Sequence, residues 1–437
     1  MKAKGLISLV LSAALILSLT ACSDQTVSSS ADFSMGFDPA DRVVSADSDI
    51  FSGGKMLGGT VVDYLWKTVW GGQTQWDCLG QLRDNGMNWV RVGVLMKSDE
   101  QLANTPFEEW GSLKVDGYGW STLEYAEAIL RDAQEKGLRK NLFFFLSDQD
   151  ASGAKQPAPA EWQGLTVEET CAKLTKYCYE TAKYFQDKGL SIDLYDLGNE
   201  IERGIVGFFL GDRLTIPSGV DIQTNTQWMR DNVWDIEAQL LIACIEGIKK
   251  ADPDAKFNLH SSCYGIGANN QLLKGFYKAM VDFGVPYDVA GVSYYWNGIH
   301  TYENGMQPVT TPQEAYFKTA ECKEFTDYIV HDLGKKFIFS EFVYPNASYF
   351  GLSGAMDIGY PFTIEGQADW VEDFLEYVMN TPEISGCIYF YPEYYPIMHS
   401  QEFDSLNYSG LFTNTLIPNA ALKNITNINN GKDRSTA

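Results

Sequence analysis

Short apolar runs alternate with longer amphipathic stretches along this chain. The runs Asn88–Leu95, Asn141–Leu146, Ile192–Leu197, Lys256–His260, Asp288–Tyr295, Lys336–Phe342 and Gly386–Tyr391 are rich in Val, Ile, Leu, Phe and Tyr. Continuous runs of this length predict parallel strands buried on both faces. A further strand, first in order, is placed near Phe33–Phe37. Helical periodicity predicts Trp76–Asn85, Ser121–Lys136, Val167–Lys188, Trp228–Lys250, Leu272–Asp282, Pro312–Leu333 and Gly366–Met379. Thr166 precedes the third helix, and Glu168 and Glu169 fill its first turn, as an N-terminus prefers. The fourth stops before Pro253. Strands alternating with helices, without an internal repeat, predict an α/β fold: a single-domain (β/α)₈ TIM barrel over residues 33–425. Residues 426–437 read as a polar C-terminal tail.

The first residues read as an address rather than fold. Lys2 and Lys4 precede an apolar run from Leu6 to Leu19, short for a bilayer span, which ends in Leu19-Thr20-Ala21-Cys22. This resembles the lipobox of bacterial lipoproteins. Residues 1–21 are then a signal peptide, and Cys22 is the lipidation site that tethers the protein to a membrane's outer face. An ordinary secretory signal with a chance cysteine is the alternative. Residues 22–32 are polar and serine-rich, as a tether is. Seven further cysteines show no paired spacing and make no disulfide framework. Cys171 and Cys178 share a helix face and read as small buried hydrophobes.

Charge narrows the partners. A net charge of −24 argues against nucleic acid and against a polyanionic glycan, and favours a neutral substrate. Aromatic residues make up 14% of the chain, enough to supply both core and sugar-stacking platforms.

Two predicted strands lead into glutamates. One reads Tyr195-Asp196-Leu197-Gly198-Asn199-Glu200, the other Phe337-Ile338-Phe339-Ser340-Glu341-Phe342. A carboxylate at a strand's end is costly to bury and useless as packing. As strands four and seven of a barrel, both open onto the C-terminal mouth, where such barrels do their chemistry. Paired carboxylates there suit glycosidic cleavage: one acid protonates the leaving oxygen, and one carboxylate attacks or stabilises the sugar.

The chain resembles clan A glycoside hydrolases, and more closely family 53, the arabinogalactan endo-β-1,4-galactanases. The likeness runs from about Leu82 to about Ile425. It is carried by Leu82 to Arg91, by Ser147-Asp148 with Gln156, Pro159 and Trp162, and by Leu197-Gly198-Asn199-Glu200-Ile201 with Gly204. Leu259-His260, Asp288 to Tyr295, Glu341 with Tyr344-Pro345, and Glu365-Gly366-Gln367 continue it in the family's order. Three places depart from the family. Its third strand ends His-Tyr-Ser-Asp before a Trp, where this chain has Phe145-Leu146-Ser147-Asp148. Gly93 stands at the second position of its Arg-x-Arg. The last strand reads Tyr389-Phe390-Tyr391-Pro392, with no Glu before the proline.

The resemblance implies a retaining hydrolase of β-1,4-galactosidic bonds in galactan or arabinogalactan, neutral plant cell-wall polysaccharides. Another neutral β-glycan, such as a mannan, glucan or xylan, is the alternative, as is a tethered glycan-binding protein without turnover. Glu200 is the expected acid/base and Glu341 the expected nucleophile. Arg91 is a candidate to keep Glu341 ionised, or a structural barrel ion pair. Tyr295 is a candidate donor to Glu341, and Asn199 a candidate ligand of the sugar 2-hydroxyl. His260 either orients Glu200, contacts sugar, or is a satisfied barrel histidine. Trp162, Trp296, Tyr344 and Tyr394 are candidate sugar platforms or core, and Asp148 and Asp150 candidate subsite contacts. No cofactor or metal is expected, since the loop from Asn346 to Pro361 offers few oxygen ligands.

Overall fold

The computed structural model describes residues 49–61, 66–69, 72–97, 100–106, 109, 121–262, 268–295, 317, 320–347, 360–393, 409–413 and 415–429. The chain divides into two units, 1–48 and 49–437, and the first lies outside the described residues. The expected first strand near Phe33–Phe37, the signal segment and Cys22 therefore fall outside them too.

Eight parallel strands close a barrel: β1 (Met56–Thr60), β2 (Trp89–Val94), β3 (Arg139–Phe144), β4 (Leu194–Leu197), β5 (Phe257–Ser261), β6 (Val289–Tyr295), β7 (Lys336–Val343) and β8 (Ile384–Phe390). The first barrel strand is thus Met56–Thr60 rather than Phe33–Phe37. Its sequence, Met-Leu-Gly-Gly-Thr, hides the strand signal. Gly58 is closely packed: a Cβ there would sit 3.3 Å from Trp89 Cβ, tighter than ordinary contact.

Helices α1 (Cys78–Asp84), α2 (Leu123–Glu135), α3 (Val167–Asp187), α4 (Asp235–Ala251), α5 (Ala268–Asp282), α6 (Ala320–Asp327), α7 (Ile364–Asn380) and α8 (Ala420–Asn429) surround it. The N-terminus of α3 carries a full capping box between Thr166 and Glu169. The predicted Trp228–Lys250 helix begins instead with Thr226–Met229 and a widened π turn, Arg230–Trp234. That turn sets buried Trp234 where its Nε1 donates to the Glu202 carbonyl at 2.9 Å. Helix α8 was not expected, and it runs past residue 425 to Asn429. It is short, and three of its ten residues are Asn, a poor helix former.

Alternate strand positions build two cores. Outward residues such as Val90, Val92, Leu142, Phe144, Leu259, Val292, Phe337 and Phe339 pack under the helices. Inward at the barrel's N-terminal end, Met56, Trp89, Leu194, Val289, Ile338 and Ile388 meet Ile50 and Phe51 in a separate apolar plug. Above that plug the lumen turns polar.

Candidate active site

Glu341 reaches the lumen by way of a bulge. Strict alternation with inward Ile338 would aim Ser340 inward and Glu341 out between the helices. The β6–β7 register slips instead: Val292 pairs with Phe339, and Ser293 with Glu341. Ser340 is the extra residue, and Asn258 Nδ2 donates to its Oγ at 3.1 Å. Both Ser340 and Glu341 therefore face inward, the re-aiming for which bulges are used beside active sites. Glu341 is 3% exposed.

Glu200 lies three residues beyond β4, after a turn in which Gly198 has φ 91° and Glu200 itself φ 54°. A left-handed glutamate costs about 1–3 kcal/mol and is the kind of strain that gathers at functional sites. Gln156 clamps the loop: its Nε2 donates to the Asn199 carbonyl at 2.6 Å and to Ser152 O at 3.0 Å. Gly153 N–H donates to Glu200 Oε2 at 2.9 Å, and Ser293 Oγ donates to Oε1 at 2.8 Å. The residue is half-buried. Burial and then the charge of Glu341 push its pKa up to about 7, and Glu202 adds to the push. Carboxyl oxygens of Glu200 and Glu341 come within 4.8 Å of each other.

Arg91 joins the lumen together. Fully buried, it donates Nε to Asp196 at 2.8 Å and Nη1 to Glu341 at 2.8 Å. Burial opposes its charge, but Asp196 and Glu341 more than offset this and raise its pKa. Its Nη2 lies 3.1 Å from His260 Nδ1, and His260 Nε2 lies 2.9 Å from Ser293 Oγ. Burial, then Arg91, holds the His260 pKa well below the usual range. His260 is fully enclosed. It therefore meets Ser293 and Arg91 rather than sugar, and the same enclosure keeps Arg91 from contacting substrate directly. Glu200, His260 and Glu341 lie close enough to suggest a metal triad. Both histidine nitrogens are already engaged, however, and a guanidinium sits against them, so the donor set does not suit a cation.

The remaining candidates divide. Tyr344 is core: it is fully buried, stacks on Trp370 at 4.9 Å and donates to Tyr360 O at 2.6 Å. It cannot serve as a platform. Trp162 is half-buried in a short turn, with Lys173 Nζ 5.7 Å over its ring. Asp148 Oδ2 accepts from Ala160 N–H at 3.1 Å, and Asp150 pairs with Lys155 at 3.3 Å. Asn199 Nδ2 donates to Ala151 O at 3.1 Å. Enclosed oxygens of Asp148 and Asn199 lack a partner among the described residues. Tyr295 ends β6, but its side chain, Trp296 and Tyr394 lie outside the described residues.

The departures at strands two and three fit together. A Cβ on Gly93 would lie 2.3 Å from Phe143 Cζ and 2.7 Å from Phe145 Cε2. The glycine makes room for these two rings, which pack edge to face at 4.6 Å, and Arg91 Cζ lies 4.0 Å over the Phe143 ring. Sequence reasoning gave no role to Asp196, Gly153, Ser293 or Glu202. Buried Glu202 accepts from Ser262 N–H at 2.9 Å and Oγ at 2.5 Å. Asp196 and Ser293 stood inside the quoted motifs. Their polarity within apolar runs was the available signal.

Known proteins resemble this chain in sequence and in fold. An endo-beta-1,4-galactanase of Bacillus subtilis (strain 168) is 24% identical over 334 residues, 74% of this chain and 64% of that enzyme's length. An uncharacterized protein of Niallia circulans is 27% identical over 286 residues, 63% of this chain and 69% of its own. A solved fungal beta-1,4-galactanase superposes with a TM-score of 0.62 at 21% identity, covering 85% of this chain and 98% of that one. That likeness shows the barrel. The profile of Glycosyl hydrolase family 53 matches residues 64–425, most of the sequence, and the chain belongs to that family.

Proposed function

We propose that this glycoside hydrolase cleaves β-1,4-galactosidic bonds in galactan with retention of configuration, using Glu200 as acid/base and Glu341 as nucleophile. The observation that carries this reading is the approach of the two carboxyls to within 4.8 Å. Retaining enzymes hold the pair about 5–5.5 Å apart, whereas inverting ones leave about 6.5–9.5 Å for a water.

In the first step a Glu341 oxygen bonds to the anomeric carbon. The glycosidic C–O bond breaks, and Glu200 gives its proton to the leaving oxygen. Glu341 is then a neutral ester, so the like charge that raised Glu200 disappears, the Glu200 pKa falls, and its carboxylate stays ionised and ready to accept a proton. In the second step water attacks the anomeric carbon, Glu200 takes its proton, and Glu341 leaves as a carboxylate. Arg91, paired with both Asp196 and Glu341, supplies the positive charge against which Glu341 departs.

Galactan as substrate is supported by the endo-beta-1,4-galactanase of Bacillus subtilis to which the chain is similar. The apolar Gly93–Phe143–Phe145 wall favours testing other neutral β-glycans beside it. Purified β-1,4-galactan, mannan, β-glucan and xylan would be digested and the products resolved, with the anomer followed by NMR. Galacto-oligosaccharides released first as the β-anomer support the reading. Release of the α-anomer overturns retention, and products only from another glycan overturn the substrate. Anchoring through Cys22 belongs to the same proposal and rests on Leu19-Thr20-Ala21-Cys22. Fatty-acid labelling in a bacterial host that vanishes in C22A supports it, and labelling that persists removes it.

A further inference from the structure

Glu200 is gripped from two sides, by Gly153 N–H on Oε2 and by the Ser293 hydroxyl on Oε1. The direction of the second bond is set two residues away. A guanidinium can only donate, so His260 Nδ1, 3.1 Å from Arg91 Nη2, must accept and carries no proton. A neutral imidazole then holds its hydrogen on Nε2 and donates to Ser293 Oγ at 2.9 Å. With its oxygen accepting there, the Ser293 hydrogen is left to Glu200. A protonated His260 would point an N–H into the guanidinium, which burial and Arg91 both oppose.

We propose that Ser293 is the positioning residue of the acid/base carboxyl: Arg91 and His260 make its hydroxyl a one-way donor that fixes the Glu200 rotamer and keeps its acidic proton off the lone pair facing β6. This rests on the reading of Glu200 as acid/base. The relay runs Glu341, Arg91, His260, Ser293, Glu200, through β7, β2, β5, β6 and the loop after β4. It ties the two catalytic carboxyls together across the lumen. The charged or titratable groups that bear on Glu200 are Glu341 from β7, Glu202 from its own loop, and Arg91 from β2 by way of His260 on β5. Gly153 N–H faces it from the loop after β3. The Ser293 bond stabilises the carboxylate and so works against the like charges.

The test is the pH dependence of kcat/KM on soluble galactan for the full chain, with S293A, S293T and E200Q. Loss of a hydrogen bond to a charged carboxylate should move the alkaline limb of S293A upward by about one pH unit. S293T, which keeps the hydroxyl, should return it toward wild type. An S293A profile that superimposes on wild type, or shifts downward, overturns the relay. If E200Q keeps wild-type activity, the acid/base reading itself falls. An inert E200Q beside an unshifted S293A sinks only the relay. Nitrogen NMR of the wild-type chain, which has 4 histidines, gives a readout independent of any variant. His260 should show the neutral Nε2–H tautomer from about pH 5 to about pH 8. An Nδ1–H or protonated ring overturns the proposal.

Discussion

The lumen of this barrel has two floors built from the same strands. The lower, around Met56, Trp89, Leu194, Val289, Ile338 and Ile388, is wholly apolar. Two residues further along several of those strands come Arg91, Asp196, Gly291 and Ser340, and beyond them the polar network around Glu341. The lower floor is held by shape and transfer from water, and its members are individually replaceable in kind. The upper floor holds charges that water no longer solvates, so each depends on its partner. The lower floor tolerates exchange of one apolar residue for another, whereas loss of one charge above strands its partners.

The largest expected effect breaks the upper floor at its centre. E341Q should lower hydrolysis of galactan by roughly 10⁴-fold or more while the chain stays folded, measured as kcat beside circular dichroism. A variant within tenfold of wild type would remove Glu341 from the chemistry. Arg91→Met is next. It leaves Asp196 and Glu341 buried without their cation and should cost about 3–5 kcal/mol in denaturant unfolding, with activity lost as well.

The lower floor should answer differently. Ile338→Ala should cost about 2–4 kcal/mol of stability, yet leave kcat and its pH profile near wild type. A shifted profile would show that the two floors are coupled. The smallest effect is on pH dependence. The Glu200 pKa rises from 4.5 to about 7 on folding. Its contribution to stability is therefore full below about pH 4.5 and is lost as pH rises through about 7. E200Q lacks that loss. Its Tm relative to wild type should increase between about pH 5 and about pH 8, and an unchanged difference would show that Glu200 is not raised.

Much of the barrel was legible because its outer faces obey a simple rule. Strands that must meet helices on one side and a lumen on the other become long apolar runs, and seven of the eight showed as such. Met56–Thr60 did not, since glycines close-packed against its neighbours stand where strand formers would have signalled. Tyr344 was left open between platform and core for a related reason. Its place three residues after Glu341 says nothing of which way the ring points, and the ring stacks on Trp370. His260 and Arg91 were visible as candidates, and so was the pairing of Arg91 with Glu341, but their other partners were not. Asp196 and Ser293 each looked like a single polar interruption.

The sequence alone determined the alternation of strands and helices, the apolar outer faces and the presence of a glutamate at the end of strands four and seven. These are local properties, set by which side chains tolerate burial at each period. Tertiary structure decided which way Glu341 faces, because the bulge at Ser340 exists only as a mismatch between β6 and β7. It also decided the order Glu341, Arg91, His260, Ser293, Glu200, since a hydrogen bond's direction depends on what the neighbouring strand can donate. Register and donor direction are properties of pairs, and no single stretch of chain contains them.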